Sequence, residues 1–272
     1  MTRLPVAATV CGMLLGGLAG PALADDGPVP DAALAAAIRG ALHLDEKAAL
    51  DDDKLKSLFV LDVAGKDVAA LSVLERCPNL ASLRVSKGRV SDLAPLKGLK
   101  SLQSLDLSGN AIVDLGPLAD LAGLQYLNVA DNRVEALGPL AGLAALNALD
   151  ASGNKIADLA PVGKLARLNS LYLGKNQIKA LEPLAGLKRL TTLNLSDNQV
   201  EDPGPLGALG DLTLVVLERN KVADLAPLVA SAKGGPGRWA FARLYLAGNP
   251  LSEAAKGEQV AALRSLGVRV EP

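Results

Sequence analysis

Leucine returns along this chain in a fixed register. In Leu102-Gln103-Ser104-Leu105-Asp106-Leu107-Ser108-Gly109-Asn110, a L-x-x-L-x-L run ends three residues later in asparagine. The same register opens at Leu124, Leu146, Leu168 and Leu190, continues from Leu212 with Val215 inside it, and reappears at Phe241. Two weaker copies open at Leu58 and Leu80, where Lys66 and Gly88 hold the asparagine position. Nine units result, eight evenly spaced by 22 residues and the last delayed by seven. One such unit cannot bury its apolar side alone, so head-to-tail repetition predicts a solenoid whose core forms only when neighbours stack.

Within each unit the alternation is that of a strand. Leu105 and Leu107 point inward while Ser104 and Asp106 point outward. Stacked units align these strands into one parallel sheet. The asparagine that follows ends the strand, where its amide can satisfy backbone groups exposed by the turn. The return half reads I-x-D-L-x-P-L, with Asp92, Asp114, Asp158, Asp202 and Asp224 at the expected capping position of a short helical turn. Ala136 and Ala180 replace the aspartate in two units, and proline follows three residues on, from Pro95 to Pro227. Proline tolerates a first helical turn and opposes a long helix. The outer side is therefore expected to be 3₁₀ or extended turns.

The ends are not repeats. Asp31 can cap a helix through Leu42 with Leu34, Ile38 and Leu42 on one stripe, and Asp51-Asp52-Asp53 can start a second short turn. An aspartate run at a helix start complements the dipole more readily than it marks a calcium site. Between the eighth and ninth units, Val229 to Ala240 is rich in glycine and proline and is expected to loop out. Beyond Asn249-Pro250, Ser252 can cap a closing helix with Val260, Leu263 and Leu266, and Val268-Arg269-Val270 can add an edge strand.

These motifs resemble bacterial leucine-rich-repeat proteins of the 22-residue subclass, similar to the internalins and to the phosphatase-regulator type of repeat. The matching residues are the L-x-x-L-x-L-x-x-N cores, returns such as Asp92-Leu93-Ala94-Pro95-Leu96, and the opening Pro30-Asp31-Ala32-Ala33-Leu34-Ala35-Ala36-Ala37-Ile38. The resemblance implies an α/β solenoid: a horseshoe with a parallel concave β-sheet, a 3₁₀ and turn convex side, and helical caps at both ends. The expected organisation is a signal peptide at 1–24, a cap at 25–57, repeats at 58–252 with an insertion at 229–240, and a C-terminal cap at 253–272. Such proteins serve adhesion, host contact, inhibition and scaffolding. No sorting motif or basic tail follows Val270, so wall anchoring of the internalin kind is not expected.

Composition narrows the function classes. Arg3, the apolar Val6 to Leu18 and Ala22-Leu23-Ala24 read as a secretory signal, with export to periplasm, surface or medium expected. Without residues 1–24 the chain holds 27 Lys+Arg against 29 Asp+Glu, a net charge of −2. That balance gives no pull toward nucleic acid or anionic lipid, and no later segment is apolar enough to span a bilayer. Cys77 stands where other units carry a core leucine and is read as a buried hydrophobe. His43 is the only histidine. Nucleophilic triads and His/Cys zinc ligation therefore lack residues, and no catalytic, cofactor-binding or metal-binding residue is expected.

The outward strand positions remain. One column reads Asp62, Arg84, Asp106, Asn128, Asp150, Tyr172, Asn194, Val216 and Tyr245; the flanking one reads Val60, Ser82, Ser104, Tyr126, Ala148, Ser170, Thr192, Leu214 and Arg243. Aromatic, apolar and arginine residues gather late in both, as they do at interface centres. The candidate partner-binding residues are Tyr126, Asp150, Tyr172, Asn194, Leu214, Val216, Arg243 and Tyr245. A competing reading folds Trp239 of the insertion over Leu214 and Val216 as a local satellite core. The expected function is an exported, monomeric, non-enzymatic module that binds a protein ligand on its concave face. The alternative is an envelope structural protein contacting polysaccharide or peptidoglycan.

Overall fold

The computed structural model describes residues 31–233 and 242–272. The expected signal peptide and Trp239 lie outside the described residues. Ten strands form one parallel sheet in chain order: β1 (Val60–Asp62), β2 (Ser82–Arg84), β3 (Ser104–Asp106), β4 (Tyr126–Asn128), β5 (Ala148–Asp150), β6 (Ser170–Tyr172), β7 (Thr192–Asn194), β8 (Leu214–Val216), β9 (Arg243–Tyr245) and β10 (Arg269–Glu271). Helices α1 (Ala32–Ala41) and α2 (Asp52–Lys56) precede them, α3 (Ala226–Lys233) joins β8 to β9, and α4 (Val260–Ser265) leads into β10.

Each strand buries its central residue, and the register places Leu83 beside Leu61 on one side and Leu105 on the other. The chain returns over the convex side through 3₁₀ turns such as Ala94–Leu96 and Gly116–Leu118, with proline in the first turn. The core is one continuous column of apolar side chains. The fifth repeat alone contributes Leu146, Leu149, Ala151, Ile156, Leu159, Val162 and Leu165, none more than 1% exposed. Truncating one such leucine to alanine removes about 2–5 kcal/mol.

The asparagines close the strand ends. Asn132 Nδ2 donates to the carbonyls of Leu107, Val129 and Ala130, each at 3.0 Å, and its Oδ1 accepts from the Ile112 amide at 3.0 Å. Asn154, Asn176, Asn198 and Asn220 repeat the pattern. Asn249 keeps it across the delayed unit, bonding Leu217 O at 2.8 Å and Val222 N at 3.0 Å. Each amide thus joins its own turn to the preceding one. The ladder starts at Asn110; at Gly88 a Cβ would stand 2.6 Å from the Val68 carbonyl, which accepts from Arg89 N at 2.8 Å as the corresponding carbonyls do in the later units. The residue before each asparagine has positive φ, whether Gly109, Asp131, Lys175 or Arg219.

The return aspartates act one residue earlier than a helical cap. Asp92 Oδ1 accepts from Ala94 N at 2.8 Å, and Asp114, Asp158, Asp202 and Asp224 do the same at 2.7–3.0 Å. The cap position itself is a leucine without a side-chain bond in the first two of these units. In so tight a turn the amide two residues on is the one within reach of a short carboxylate.

The insertion also differs from expectation. Val229 to Lys233, expected to loop out, complete helix α3, and Leu228, Val229 and Ala232 are buried. Gly207 in the neighbouring turn makes room: a Cβ there would stand 1.8 Å from Ser231 Oγ. Close approach of the helix to that bare backbone stabilises what composition alone reads as loop.

Both caps engage the sheet. Asp31 caps α1 through the Ala33 and Leu34 amides at 3.0 and 3.1 Å, and its second oxygen accepts from Ala69 N at 2.8 Å, tying the helix to the first repeat. Partial burial raises the pKa of this carboxyl, but bonds from the Ala69, Leu34, Ala33 and Ala70 amides outweigh it and hold it below the usual range. At the other end Ser252 Oγ accepts from Ala255 N at 3.1 Å, and β10 pairs with β9. Cys77 is fully buried, its Sγ 3.8 Å from Val73 O, and burial pushes its thiol up to about 11.

Three outcomes follow from these contacts. Asn154→Ala strands buried backbone groups in two repeats and lowers unfolding free energy by about 2–3 kcal/mol in urea melts, with Asn154→Asp at least as damaging because it has no donor. Asp31→Ala lowers stability by about 0.5–2 kcal/mol at neutral pH. Because the folded carboxyl is the stronger acid, that contribution is present above its unfolded value and vanishes as acid titrates the folded group, so wild type and variant melts converge at low pH. Cys77 has the opposite sign. The unfolded thiol loses its proton near 9.0, before the folded one, so stability falls as pH rises from there toward about 11, and Cys77→Ala lacks that alkaline slope.

Candidate functional site

The register of the short strands decides which outward side chains are neighbours. Asp150 pairs with Tyr172, Tyr172 with Asn194, Asn194 with Val216, and Val216 with Tyr245. These five candidates form an unbroken row across β5 to β9, adjacent members roughly 4.8 Å apart. Leu214 pairs with Arg243 in the row beside it. Tyr126 shares that second row on β4, next to Ala148 and apart from the other candidates. It is 39% exposed, whereas Tyr172, Leu214, Val216 and Tyr245 are half-buried.

Several outward polar groups already have work within the fold. Asp150 Oδ1 accepts from Ser152 N at 3.0 Å, and Asn194 Oδ1 accepts from Ser196 N at 2.9 Å. Asp62, Asp106 and Asn128 make the same turn bond. Asp150 and Asn194 therefore face the concavity with part of their hydrogen-bonding capacity spent on holding the strand end. On β2, Arg84 lies 3.6 Å from Asp62 and 3.4 Å from Asp106, so its charge is met within the early column, which stays net negative. The Tyr126 hydroxyl is pushed up by burial and by the Asp106 charge, against a bond from Asn128.

Two hollows adjoin these rows. One of about 380 Å³ is lined by Gln125, Tyr126, Ala145, Asn147, Ala148 and Arg167. The other, of about 230 Å³, is lined by Arg243, Tyr245, Arg269 and Glu271. Sequence reasoning missed Arg269 as a neighbour of Arg243 because the two are separated by 26 residues rather than by the repeat length. It also passed over Phe59 and kept the outward Val60 out of the candidates, though they are 57% and 62% exposed at the opposite end of the sheet. Among the described residues, no three His, Cys, Asp or Glu side chains are grouped to hold a metal ion, and no helix is long and apolar enough to cross a membrane. His43 is exposed in a positive-φ turn after α1, distant in sequence from both hollows.

Comparisons with known proteins agree with this architecture. The Leucine Rich repeats (2 copies) family matches residues 100–142 and 145–186, and the Leucine Rich repeat family matches residues 188–204. No curated protein matches the chain in sequence. Among solved structures, internalin C2 of Listeria monocytogenes is 31% identical with a TM-score of 0.58, over 69% of this chain and 93% of that one. A leucine-rich-repeat protein of Leptospira interrogans shares the fold at 23% identity and a TM-score of 0.66, over 75% of this chain and 52% of that one. The functional domain of InlJ from Listeria monocytogenes, described as including a cysteine ladder, shares it at 18% identity and a TM-score of 0.50, over 89% and 59%. This chain carries leucine at the core position occupied once by Cys77, and asparagine along its polar ladder. From the repeat cores, the single parallel sheet and an internalin matched over nearly its whole length, it follows that the chain belongs to the internalin-like leucine-rich-repeat proteins.

Proposed function

We propose that this chain is an exported, non-enzymatic interaction module that binds a protein partner on its concave face as a monomer. The observation that supports this most is the unbroken row from Asp150 to Tyr245, with Leu214 and Arg243 beside it. Half-buried aromatic and aliphatic side chains set in a rigid sheet lose little conformational freedom on binding, which is what interface anchors require. The signal-like residues 1–24 support export, and the caps at 25–57 and 253–272 are read as seals for an open-ended core. The resemblance to internalin C2 fits a non-catalytic scaffold.

A second reading has one observation in its favour. The hollow beside Tyr126 combines an aromatic face with the Gln125 and Asn147 amides and the Arg167 cation, groups that suit a sugar of the cell envelope.

Affinity capture from envelope and culture-supernatant fractions separates the two. Wild type should retain a defined protein that the Tyr172→Ala/Tyr245→Ala variant loses, while both melt at similar temperatures. Equal retention by the two proteins removes the late row as the binding surface. Retention of protein-free wall material by wild type, lost on Tyr126→Ala, favours the sugar reading.

A further inference from the structure

We infer that the C-terminal end of the concave face recognises a carboxylate, with Arg243 and Arg269 seating an acidic side chain of the protein partner. The inference rests on the concave-face reading above and names the partner's chemistry at that end. Arg243 and Arg269 are direct register partners on β9 and β10, both exposed, with backbones roughly 4.8 Å apart. Like charges set opposite one another on neighbouring strands destabilise a sheet. No other register partners in the sheet carry like charges. Arg84 lies between Asp62 and Asp106, Arg89 meets Asp67 at 2.8 Å, and Arg219 meets Asp197 at 2.6 Å. Neither Arg243 nor Arg269 makes an ion pair among the described residues, and residues 234–241, Gly-Gly-Pro-Gly-Arg-Trp-Ala-Phe, contain no carboxylate.

The two guanidinium groups border the hollow of about 230 Å³ whose remaining lining is Tyr245 and Glu271. Glu271 is the register partner of Tyr245 and offsets one of the two charges across the hollow. The remainder is a single positive charge, which fits one carboxylate better than a doubly charged phosphate. Planar guanidinium forks match a carboxylate in two-point geometry, and that match is stronger away from bulk water. On the adjacent strand Leu214 pairs with Arg243 and Val216 with Tyr245, so an apolar floor begins one strand away. An extended segment crossing the strands advances about 7 Å in two residues, roughly the distance from the arginine pair to that floor. The expected ligand element is an acidic residue with an apolar residue two positions away.

An array of immobilised random-sequence peptides, probed with the full chain, tests this. Wild type should select peptides carrying Asp or Glu two positions from an apolar residue, over the same peptides with Asn or Gln. Arg243→Gln/Arg269→Gln should lower that preference about tenfold or more. Its melting temperature should be unchanged or higher, since a like-charge contact is relieved. Lys97→Gln/Lys100→Gln removes the same charge from the exposed convex side and should keep the preference. Selection without acidic preference, or acidic preference that survives the arginine variant or is equally lost in the lysine variant, overturns the inference. So does arginine-dependent binding of heparin or inorganic phosphate without peptide selection. If Tyr172→Ala still abolishes selection of apolar peptides while acidic preference is absent, the inference fails and the concave-face reading stands.

Discussion

Every turn of this solenoid brings polar backbone into an apolar column. The strands are three residues long, and where each ends the chain must bend while its carbonyls still face the core. The carbonyls of Leu107 and Val129 take the asparagine amide where the strand pairing has ended, while Ala130 O also accepts from Gly109 N at 2.8 Å, and an unsatisfied buried carbonyl is costly. Asparagine answers this because a short side chain carries both donors and an acceptor. Aspartate lacks the donors, and glutamine places them one methylene too far. Since the same amide also accepts from the amide of the preceding turn, each unit is fixed to its neighbour by polar as well as apolar contacts. The left-handed residue at the strand end is present even in the first two units, at Gly65 and Lys87, so the turn itself recurs and the asparagine is what satisfies it in the later ones.

The leucine spacing made most of this legible. It placed the strands, the 3₁₀ returns, the buried Cys77 and the capping roles of Asp31 and Ser252, because these depend on side-chain type at a fixed interval. The residues with positive φ escaped notice for the converse reason. Gly109, Asp131, Lys175 and Arg219 share a backbone conformation and no chemistry. Helix α3 was hidden by the glycine and proline that follow it, and it depends on a contact between Ser231 and Gly207 that no local pattern records. The aspartate turn bonds were displaced by one residue because a sequence position does not say which amide a tight turn brings nearest.

The binding face was legible in a different sense. Alternation identifies every outward residue, but not which of them already serve the fold. Asp62, Asp106, Asp150 and Asn194 read as ligand-facing groups, yet each has an oxygen engaged by the backbone two residues on. Arg84 reads as a cation on the concave surface and is held between two carboxylates. What remains outward without an internal partner among the described residues is a smaller set, concentrated where side chains are aromatic, aliphatic or arginine.

The departure from the repeat has its own consequence for this surface. Within the regular units a residue meets its counterpart 22 positions away, and the offset around Arg84 brings opposite charges together. At the C-terminal end β10 is not a repeat but the last strand of the cap, and it meets β9 at an offset of 26 residues. A strand whose evident task is to extend the sheet over the last apolar layer could have carried any soluble residue at its outward positions. Arg269 beside Arg243 weakens the pairing it belongs to, and Glu271 opposite Tyr245 relieves only part of that charge. A cap selected for stability alone would place the acid next to the arginine, as the chain does at Arg84, Arg89 and Arg219. The placement of the acid across the hollow instead leaves a cationic edge on the concave row, opposite in sign to the Asp106 and Asp150 end. A partner lying along the sheet therefore meets a direction as well as a surface.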